Sequence, residues 1–238
     1  MTRYELAVPQ DGRGALAIGW LVLGLAALIG AGVFSILLVA ARTPYLQHLF
    51  PVMDFFRVAL VVHVDLSVLV WFLALGGVLW SINSTPRLVG LGWAALALAA
   101  AGTAQIAIAP FAGFGLPIMS NYVPVLDSPS FLGGLAVFGA GFLLLTVRSL
   151  AAVPAVGVVI DGAAALRFGL NAAAVSAAMT LIAFGWSWAV MPDGLPAKGK
   201  SLDLSVAAVL IDVKAAAKQT GAIGAIGPVA VLVASLDQ

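Results

Sequence analysis

The chain has 238 residues, of which 63% are hydrophobic and 9% are charged, and its mean hydropathy is +1.13. In a soluble domain about a quarter of the residues are charged, so this composition predicts an integral membrane protein in a lipid bilayer. A net charge of +1 without a clustered basic face argues against a nucleic-acid partner. The absence of cysteine excludes disulfides and thiolate metal sites.

Five apolar runs are long enough to cross the hydrocarbon core of a bilayer, which takes about 20 residues. They predict an all-α polytopic membrane bundle with transmembrane helices over residues 16–41, 58–82, 88–109, 131–150 and 168–191. Pro110 is expected to end the third helix and Pro192 the fifth, because proline lacks the N–H group that a helix interior needs. The transmembrane bundle therefore takes residues 1–192.

The positive charges near the span ends predict the orientation, because cytoplasmic loops carry more lysine and arginine than outer loops. With the N-terminus in the cytoplasm, the inner segments carry Arg3, Arg13, Arg87, Arg148 and Arg167. The two short outer loops carry Arg42 and Arg57, and the tail after the fifth span, which would also lie outside, carries four lysines. Residues 43–57 and 110–130 are rich in proline and aromatic side chains. They are expected to form ordered caps on the outer face.

The remaining tail, residues 193–238, differs from the spans. Its apolar residues recur at a helical period, at Leu202, Val206, Val209, Leu210 and Val213. That pattern predicts an amphipathic C-terminal helix on the membrane surface. A flexible glycine stretch and an apolar segment too short to span a bilayer follow it.

Small and polar residues inside the spans predict how the helices contact one another. Small residues let two backbones approach within a membrane, and they occur as Ala26 with Gly30, Gly76 with Gly77, Gly133 with Gly134, and Gly139 with Gly141. In the fifth span, Asn171, Ser176 and Ser187 are expected to form hydrogen bonds between helices.

His63 is the one histidine inside a span, within the run VALVVHVDLSVLVWFLALGGVLWSI. An ionisable side chain at that depth is costly unless something pairs with it, so it marks a candidate functional site. A neutral imidazole is a common metal ligand; the alternative role is a buried histidine hydrogen-bonded between helices. On an α-helix Ser67 and Val70 share the face of His63, and Ser67 is expected to contact the ring edge or a neighbouring carbonyl. Asp65 is rotated by about 200° from His63.

Three stretches of the chain resemble a known family: LVLGLAALIGAGVFSILLVAARTP, FFRVALVVHVDLSVLVWFLA and NYVPVLDSPSFLGGL. Residues 15–190 resemble the first part of subunit I of the haem–copper oxygen reductases, most specifically in the second span. In that family a histidine near the outer end of the second span is an axial ligand of the low-spin haem, and His63 matches it in span and depth. The resemblance implies a low-spin b- or a-type haem on His63 and electron transfer towards oxygen reduction. It also implies other respiratory oxidase subunits as partners and a bacterial inner membrane as the location.

The same resemblance suggests roles for residues outside the second span. Arg42 and Arg57, at the outer interface, are expected to pair with haem propionates or to reach into the lipid headgroups. His48, in an outer loop, is expected to be an ordinary solvated residue. Met179 is the one methionine well inside a span and is a candidate for a second axial ligand.

The chain departs from that family in its later part. A complete subunit I has further spans whose histidines hold the high-spin haem, the copper and the second side of the low-spin haem, whereas no histidine follows position 63 here. Copper is therefore not expected in this chain, and no catalytic residue is assigned. Oxygen reduction would need ligands from another chain. A truncated gene, a shifted reading frame and a divergent subunit all predict such a sequence.

Two other functions stay open at this point. One is a haem-free structural or assembly subunit of a respiratory complex. The other is a small proton-linked transporter that uses His63 together with Asp65. Bound iron distinguishes the first from an electron carrier, and pH-dependent flux distinguishes the second.

Overall fold

The computed structural model describes residues 7–46, 50, 55–112, 115–119, 123–155 and 162–189. Its helices are α1 (Gly12–Arg42), α2 (Phe55–Val64), α3 (Trp71–Ile82), α4 (Val89–Ala112), α5 (Pro129–Ala151) and α6 (Gly162–Ala189), and a π-helical turn (Asp65–Val70) joins α2 to α3. Within these residues, five segments are long and apolar enough to cross a membrane, the second being α2, the π-helical turn and α3 together. The predicted all-α membrane bundle is confirmed.

Two helices begin at polar residues that cap them. Asp11 accepts a hydrogen bond from the backbone N–H of Arg13 at 2.9 Å, so α1 starts at Gly12 rather than at the first residue of the apolar run. Ser128 accepts one from the backbone N–H of Phe131 at 3.2 Å and caps α5. Hydrophobicity marks the membrane-crossing part of a helix, and the capping turn lies outside it.

The prediction that Pro110 ends the third helix is wrong. Helix α4 continues to Ala112, and Pro110 is buried inside its last turn. The fixed φ of proline is compatible with a helix, and near a helix end the ring removes only one backbone hydrogen bond. The predicted stop at Pro192 lies outside the described residues.

The helices pack closely where glycine faces a neighbour. Helix α1 packs along α2 and α3, and α4 packs along α5. A Cβ atom on Gly141 of α5 would lie 2.6 Å from the backbone nitrogen of Ala99 in α4. The prediction of close helix contacts is confirmed at Gly77, Gly134 and Gly141, whereas the added Cβ of Gly139 would meet open space.

Two side chains join the end of α3 to the first part of α6. Nδ2 of Asn83 donates to Oδ1 of Asn171 at 3.1 Å, and Nε1 of Trp80 donates to the backbone carbonyl of Leu170 at 3.0 Å. The predicted interhelical hydrogen bond of Asn171 is confirmed. The Ser176 hydroxyl has no such partner among the described residues, and the side chain of Ser187 lies outside them.

The predicted outer cap over residues 110–130 contains a short antiparallel strand pair, β1 (Leu116–Ile118) with β2 (Val125–Asp127). The pair packs against α2, and β2 also packs against α5. Val125 and Leu126 are buried. Strands of three residues are too short for an alternating pattern to mark them in a sequence.

The chain divides into two compact units, residues 1–171 and 172–238. The described part of the second unit is the remainder of α6, where the large apolar side chains of Val175, Met179, Ile182 and Trp186 are exposed. The predicted C-terminal helix and the predicted boundary at residue 192 fall outside the described residues and stay predictions.

Candidate functional site

His63 lies in the last turn of α2, just before the π-helical turn. Its ring nitrogen Nδ1 lies 2.9 Å from the backbone carbonyl oxygen of Ala31 in α1 and 3.3 Å from the hydroxyl of Ser35. A carbonyl oxygen can only accept, so Nδ1 carries a hydrogen and donates it to Ala31. The other ring nitrogen, Nε2, makes no hydrogen bond within the described part of the chain, and it carries the lone pair whenever the ring is uncharged.

Ala31 and Ser35 are site residues that the sequence analysis missed. They lie one helical turn apart on α1 and face the same imidazole. Ser35 had a visible signal, since it is a hydroxyl within the apolar stretch IGAGVFSILLVA. Ala31 had none, because it acts through its backbone carbonyl, which every residue possesses.

Ser67 contacts the backbone of His63 rather than its ring. Its hydroxyl donates to the carbonyl oxygen of His63 at 2.7 Å and lies 3.4 Å from that of Val64. Of the two contacts predicted for Ser67, the structure shows the neighbouring carbonyl. A hydroxyl bonded to the carbonyl four residues earlier is common where a helix bends. Ser67 therefore shapes the turn that positions His63.

The π-helical turn follows His63 closely and ends at Val70. Val70, which was expected on the face of His63, is fully buried, and His63 is half-buried. A π-helix has a wider turn than an α-helix, so every residue after it is rotated from its α-helical position. Such turns occur frequently at functional sites.

Asp65 is buried, with a side chain 1% exposed. Neither carboxyl oxygen has a hydrogen-bond partner among the residues that the structure describes, so His63 and Asp65 are not bonded to each other. This agrees with the prediction that the two side chains point in different directions. A carboxylate buried without a partner is costly, which makes Asp65 the second unusual group of this span.

A groove of about 420 Å³ lies where the C-terminal end of α1 meets the N-terminal end of α2. Its lining is Leu38, Val39, Arg42, Thr43, Pro44 and Phe56. The guanidinium carbon of Arg42 lies 3.9 Å from the centroid of the Phe56 ring, a cation–π contact. The groove is thus apolar, with one cation at its edge.

The groove and the imidazole of His63 lie along the same contact between α1 and α2, which runs from Arg42 and Phe56 to Ser35 and His63 and is called the seam below. Arg42 follows Ser35 by seven residues on α1, and Phe56 precedes His63 by seven on α2. Seven residues are two helical turns, so each pair lies on one face and about 10 Å apart along the helix. The seam therefore places Arg42 two helical turns along α1 from Ser35, whose hydroxyl lies beside the imidazole.

The other predicted site residues lie elsewhere. Arg57 is exposed in the first turn of α2 and does not line the groove. His48 is outside the described residues. Met179 belongs to the second unit and is 61% exposed. In the described ranges no group of three or more histidine, cysteine, aspartate or glutamate side chains is placed to hold a metal ion.

Two relatives share part of this sequence. The chain is 34% identical over 160 residues to an uncharacterized protein of Rickettsia prowazekii (strain Madrid E), covering 57% of this chain and 31% of that protein. It is 34% identical over 131 residues to an uncharacterized protein of Aquifex aeolicus (strain VF5), covering 55% of this chain and 33% of that protein. The chain thus spans about a third of the length of these curated relatives. No family model and no solved structure matches it.

Proposed function

We propose that this chain is a haem-binding membrane subunit of a respiratory terminal oxidase, in which His63 supplies an axial nitrogen. The observation that carries the proposal is the hydrogen bond from Nδ1 of His63 to the carbonyl oxygen of Ala31. Metal-binding histidines usually donate their second ring N–H to such a carbonyl, which fixes the tautomer and the ring orientation. The lone pair of Nε2 is then the metal-binding position.

The seam between α1 and α2 supports the same proposal. The groove at one end of this seam is lined mainly by apolar side chains, as suits a haem, and the guanidinium of Arg42 is suited to pair with a propionate carboxylate. When bound, a low-spin haem of b or a type supplies one-electron redox chemistry. The roles of this chain would be to orient the imidazole and to hold a carboxylate at the membrane surface.

Among the described residues, His63 is the one side chain that we propose as an axial ligand of the haem iron. Met179 is exposed in a separate unit, so nothing in this chain favours it as the second ligand. A second axial ligand, the high-spin haem and the copper would come from another chain. The proposed electron carrier therefore works with other oxidase subunits and is catalytically incomplete alone.

The proposed location is a bacterial inner membrane with the N-terminus in the cytoplasm. The excess of arginine at one set of span ends supports this orientation, and the relative from Rickettsia prowazekii supports a bacterial setting. In this orientation the groove beside Arg42 and Phe56 faces the outer surface. An electron donor would then approach from the outside.

An optical titration tests the proposal. The purified chain, reconstituted with haem b in detergent, is expected to give the Soret and α bands of a six-coordinate or five-coordinate haem. His63→Ala is expected to lose them, and His48→Ala, which removes the chain's other histidine, is expected to keep them. Added imidazole should restore the bands to His63→Gly, because it replaces the missing ligand. Wild-type protein without these bands, or His63→Ala with them, would overturn the proposal.

A haem-free structural or assembly subunit is the second candidate, favoured by the same bond. The His63–Ala31 contact ties α1 to α2, and this is a sufficient structural role for a half-buried histidine between two helices. In that case His63→Ala lowers the stability of the protein, and no iron co-purifies with the wild type. The titration above separates the two candidates.

A small proton-linked transporter is the third candidate, favoured by Asp65. An unpartnered carboxyl group in a membrane span is often part of a transport path. This candidate predicts pH-dependent flux in proteoliposomes that Asp65→Asn abolishes. Because His63 and Asp65 are not bonded to each other, the pair would have to act through an intervening group.

A further inference from the structure

Arg148 lies in the last turn of α5 and is fully buried, although its position at a span end predicts an exposed charge. Its Nε donates to the backbone carbonyl of Leu88 at 3.2 Å, and its Nη2 donates to the hydroxyl of Ser84 at 3.0 Å. Its Nη1 has no hydrogen-bond partner within the described ranges. Gly92 makes room for the side chain, since a Cβ there would lie 3.0 Å from both Cδ and Nε of Arg148.

A second arginine holds the same loop between α3 and α4. Nη1 of Arg13 donates to the backbone carbonyl of Ser84. Its Nη2 forms an ion pair with Asp11 at 2.9 Å. In the part of the chain that the structure describes, this is the one acidic side chain paired with either arginine. Two cations and one anion leave the cluster with a net positive charge.

The N-terminus of α4 adds to this positive potential. The first N–H groups of a helix lack intrahelical partners, and the helix dipole places about half a positive charge there. Leu88, immediately before α4, has a φ of 55°, in the left-handed region that leucine rarely adopts. Residues held in this region cluster at binding sites. Arg148 holds the carbonyl of this same residue.

We propose that this arginine cluster, made of Arg13, Arg148 and the first turn of α4, binds the phosphate group of an anionic phospholipid. A buried cation without a counter-charge is costly, and guanidinium pairs with phosphate through two parallel hydrogen bonds. The side chain of Arg13 is 20% exposed, so a phosphate can reach it from the membrane surface.

The position of the cluster favours a lipid over free phosphate. It lies where α1 and α4 begin and where α3 and α5 end, which is the level of the lipid headgroups. Leu88, Leu150 and Val153 nearby are 49%, 39% and 39% exposed, respectively. These apolar side chains would lie against the upper part of the acyl chains, so a phosphate at the cluster would adjoin the lipid to which those chains belong.

Lipid binding to the full chain in neutral detergent tests this inference. Native mass spectrometry would measure retention of phosphatidylglycerol against phosphatidylcholine, with inorganic phosphate as a third arm. Phosphatidylglycerol is expected to be retained selectively, and Arg13→Gln is expected to weaken its binding about fivefold, the usual effect of one arginine near a membrane surface. The matched control is Arg87→Gln, which removes an exposed arginine of the same loop and is expected to leave binding unchanged.

Arg148→Gln is expected to abolish the preference for phosphatidylglycerol. Since Arg148 is buried, its variant requires a circular dichroism check of helix content; if that variant does not fold, Arg13→Gln decides the outcome. If Arg13→Gln and Arg87→Gln weaken phosphatidylglycerol binding equally, the binding depends on general surface charge and the inference is overturned. Equal retention of the two lipids, or displacement of phosphatidylglycerol by millimolar inorganic phosphate, would also overturn it.

Discussion

The indole ring of Trp20 in α1 lies directly against the backbone of Gly77 in α3. A Cβ atom on Gly77 would lie 2.7 Å from Cγ and 2.8 Å from Cε3 of this ring. Trp20 is among the largest fully buried side chains, so it has little room to move away. This contact sets how closely α1 approaches the second span, and it therefore also sets the position of Ala31 relative to His63.

Gly77→Ala is expected to destabilise the bundle by about 1–3 kcal/mol, the usual cost of adding a methyl group to a close-packed interior. The free energy of unfolding can be measured by titrating the protein in mild detergent with sodium dodecyl sulfate. The adjacent Gly76 provides the control, because a Cβ there would lie 3.7 Å from the ring of Trp80, an ordinary contact. Gly76→Ala should be neutral or slightly stabilising, and a similar loss in both variants would contradict the packing argument.

A parallel prediction concerns the contact between α4 and α5. A Cβ on Gly141 would lie 2.6 Å from the backbone nitrogen and 3.1 Å from the Cα of Ala99, and backbone atoms cannot rotate away. Gly141→Ala is expected to separate the two helices and to cost about 1–3 kcal/mol or more. Gly139, two residues earlier in the same helix, faces open space, so Gly139→Ala should keep wild-type stability. If Gly141→Ala unfolds at the same detergent concentration as Gly139→Ala, the close approach of α4 and α5 is wrong.

The stability of the start of α1 is expected to depend on pH through Asp11. The hydrogen bond from the Arg13 side chain, followed by that from the Arg13 backbone, lowers the pKa of Asp11 below its ordinary value of 3.8. A lowered pKa in the folded protein means that the stabilisation is present above pH 3.8 and is lost as the pH falls through the lowered value. The measurement is the unfolding midpoint of wild type and Asp11→Asn between neutral pH and the acid range.

Asp11→Asn retains a good helix cap but removes the charge. The wild type should be the more stable protein at neutral pH, and the difference should shrink in acid. The effect is expected to be small because Asp11 is at the protein surface, where solvent screens the ion pair. A difference that stays constant with pH would mean that the ion pair with Arg13 contributes nothing.

The five spans could be predicted from the sequence because the thickness of a bilayer fixes the length of apolar chain that crosses it. The separation of Asp65 from His63 also followed from the sequence, because it depends only on position along a helix. The helix caps Asp11 and Ser128 were missed because capping is a side-chain contact outside the apolar run. The local pattern of apolar residues thus predicted which segments form the long helices.

The contacts that build the site depend on tertiary structure and were not predictable in the same way. The π-helical turn changes the backbone hydrogen-bond register, which no residue type marks, and it rotates the residues that follow it. Arg148 stands at a span end like Arg87, yet one is buried and the other exposed. The difference is the space left by Gly92, a residue more than fifty positions away in sequence.

The variant Ser67→Ala tests whether Ser67 contacts the protein backbone or a bound cofactor. Since its hydroxyl donates to the carbonyl of His63, Ser67→Ala is expected to lower the free energy of unfolding by about 0.5–1.5 kcal/mol, the usual contribution of one hydrogen bond. It should leave the wavelengths of any haem bands unchanged, because the ring of His63 stays bonded to Ala31. Optical spectra and detergent unfolding of the same preparation give both readouts.

Ser35→Ala is the informative partner of that variant, because the Ser35 hydroxyl lies 3.3 Å from the ring nitrogen Nδ1 itself. Removing a polar group next to the second nitrogen of a metal-binding imidazole changes the basicity of the ligand, so Ser35→Ala is expected to shift the midpoint potential of a bound haem. Ser67→Ala is expected to leave it in place. A potential that moves with Ser67 and not with Ser35 would mean that the hydroxyl of Ser67, rather than that of Ser35, faces the cofactor.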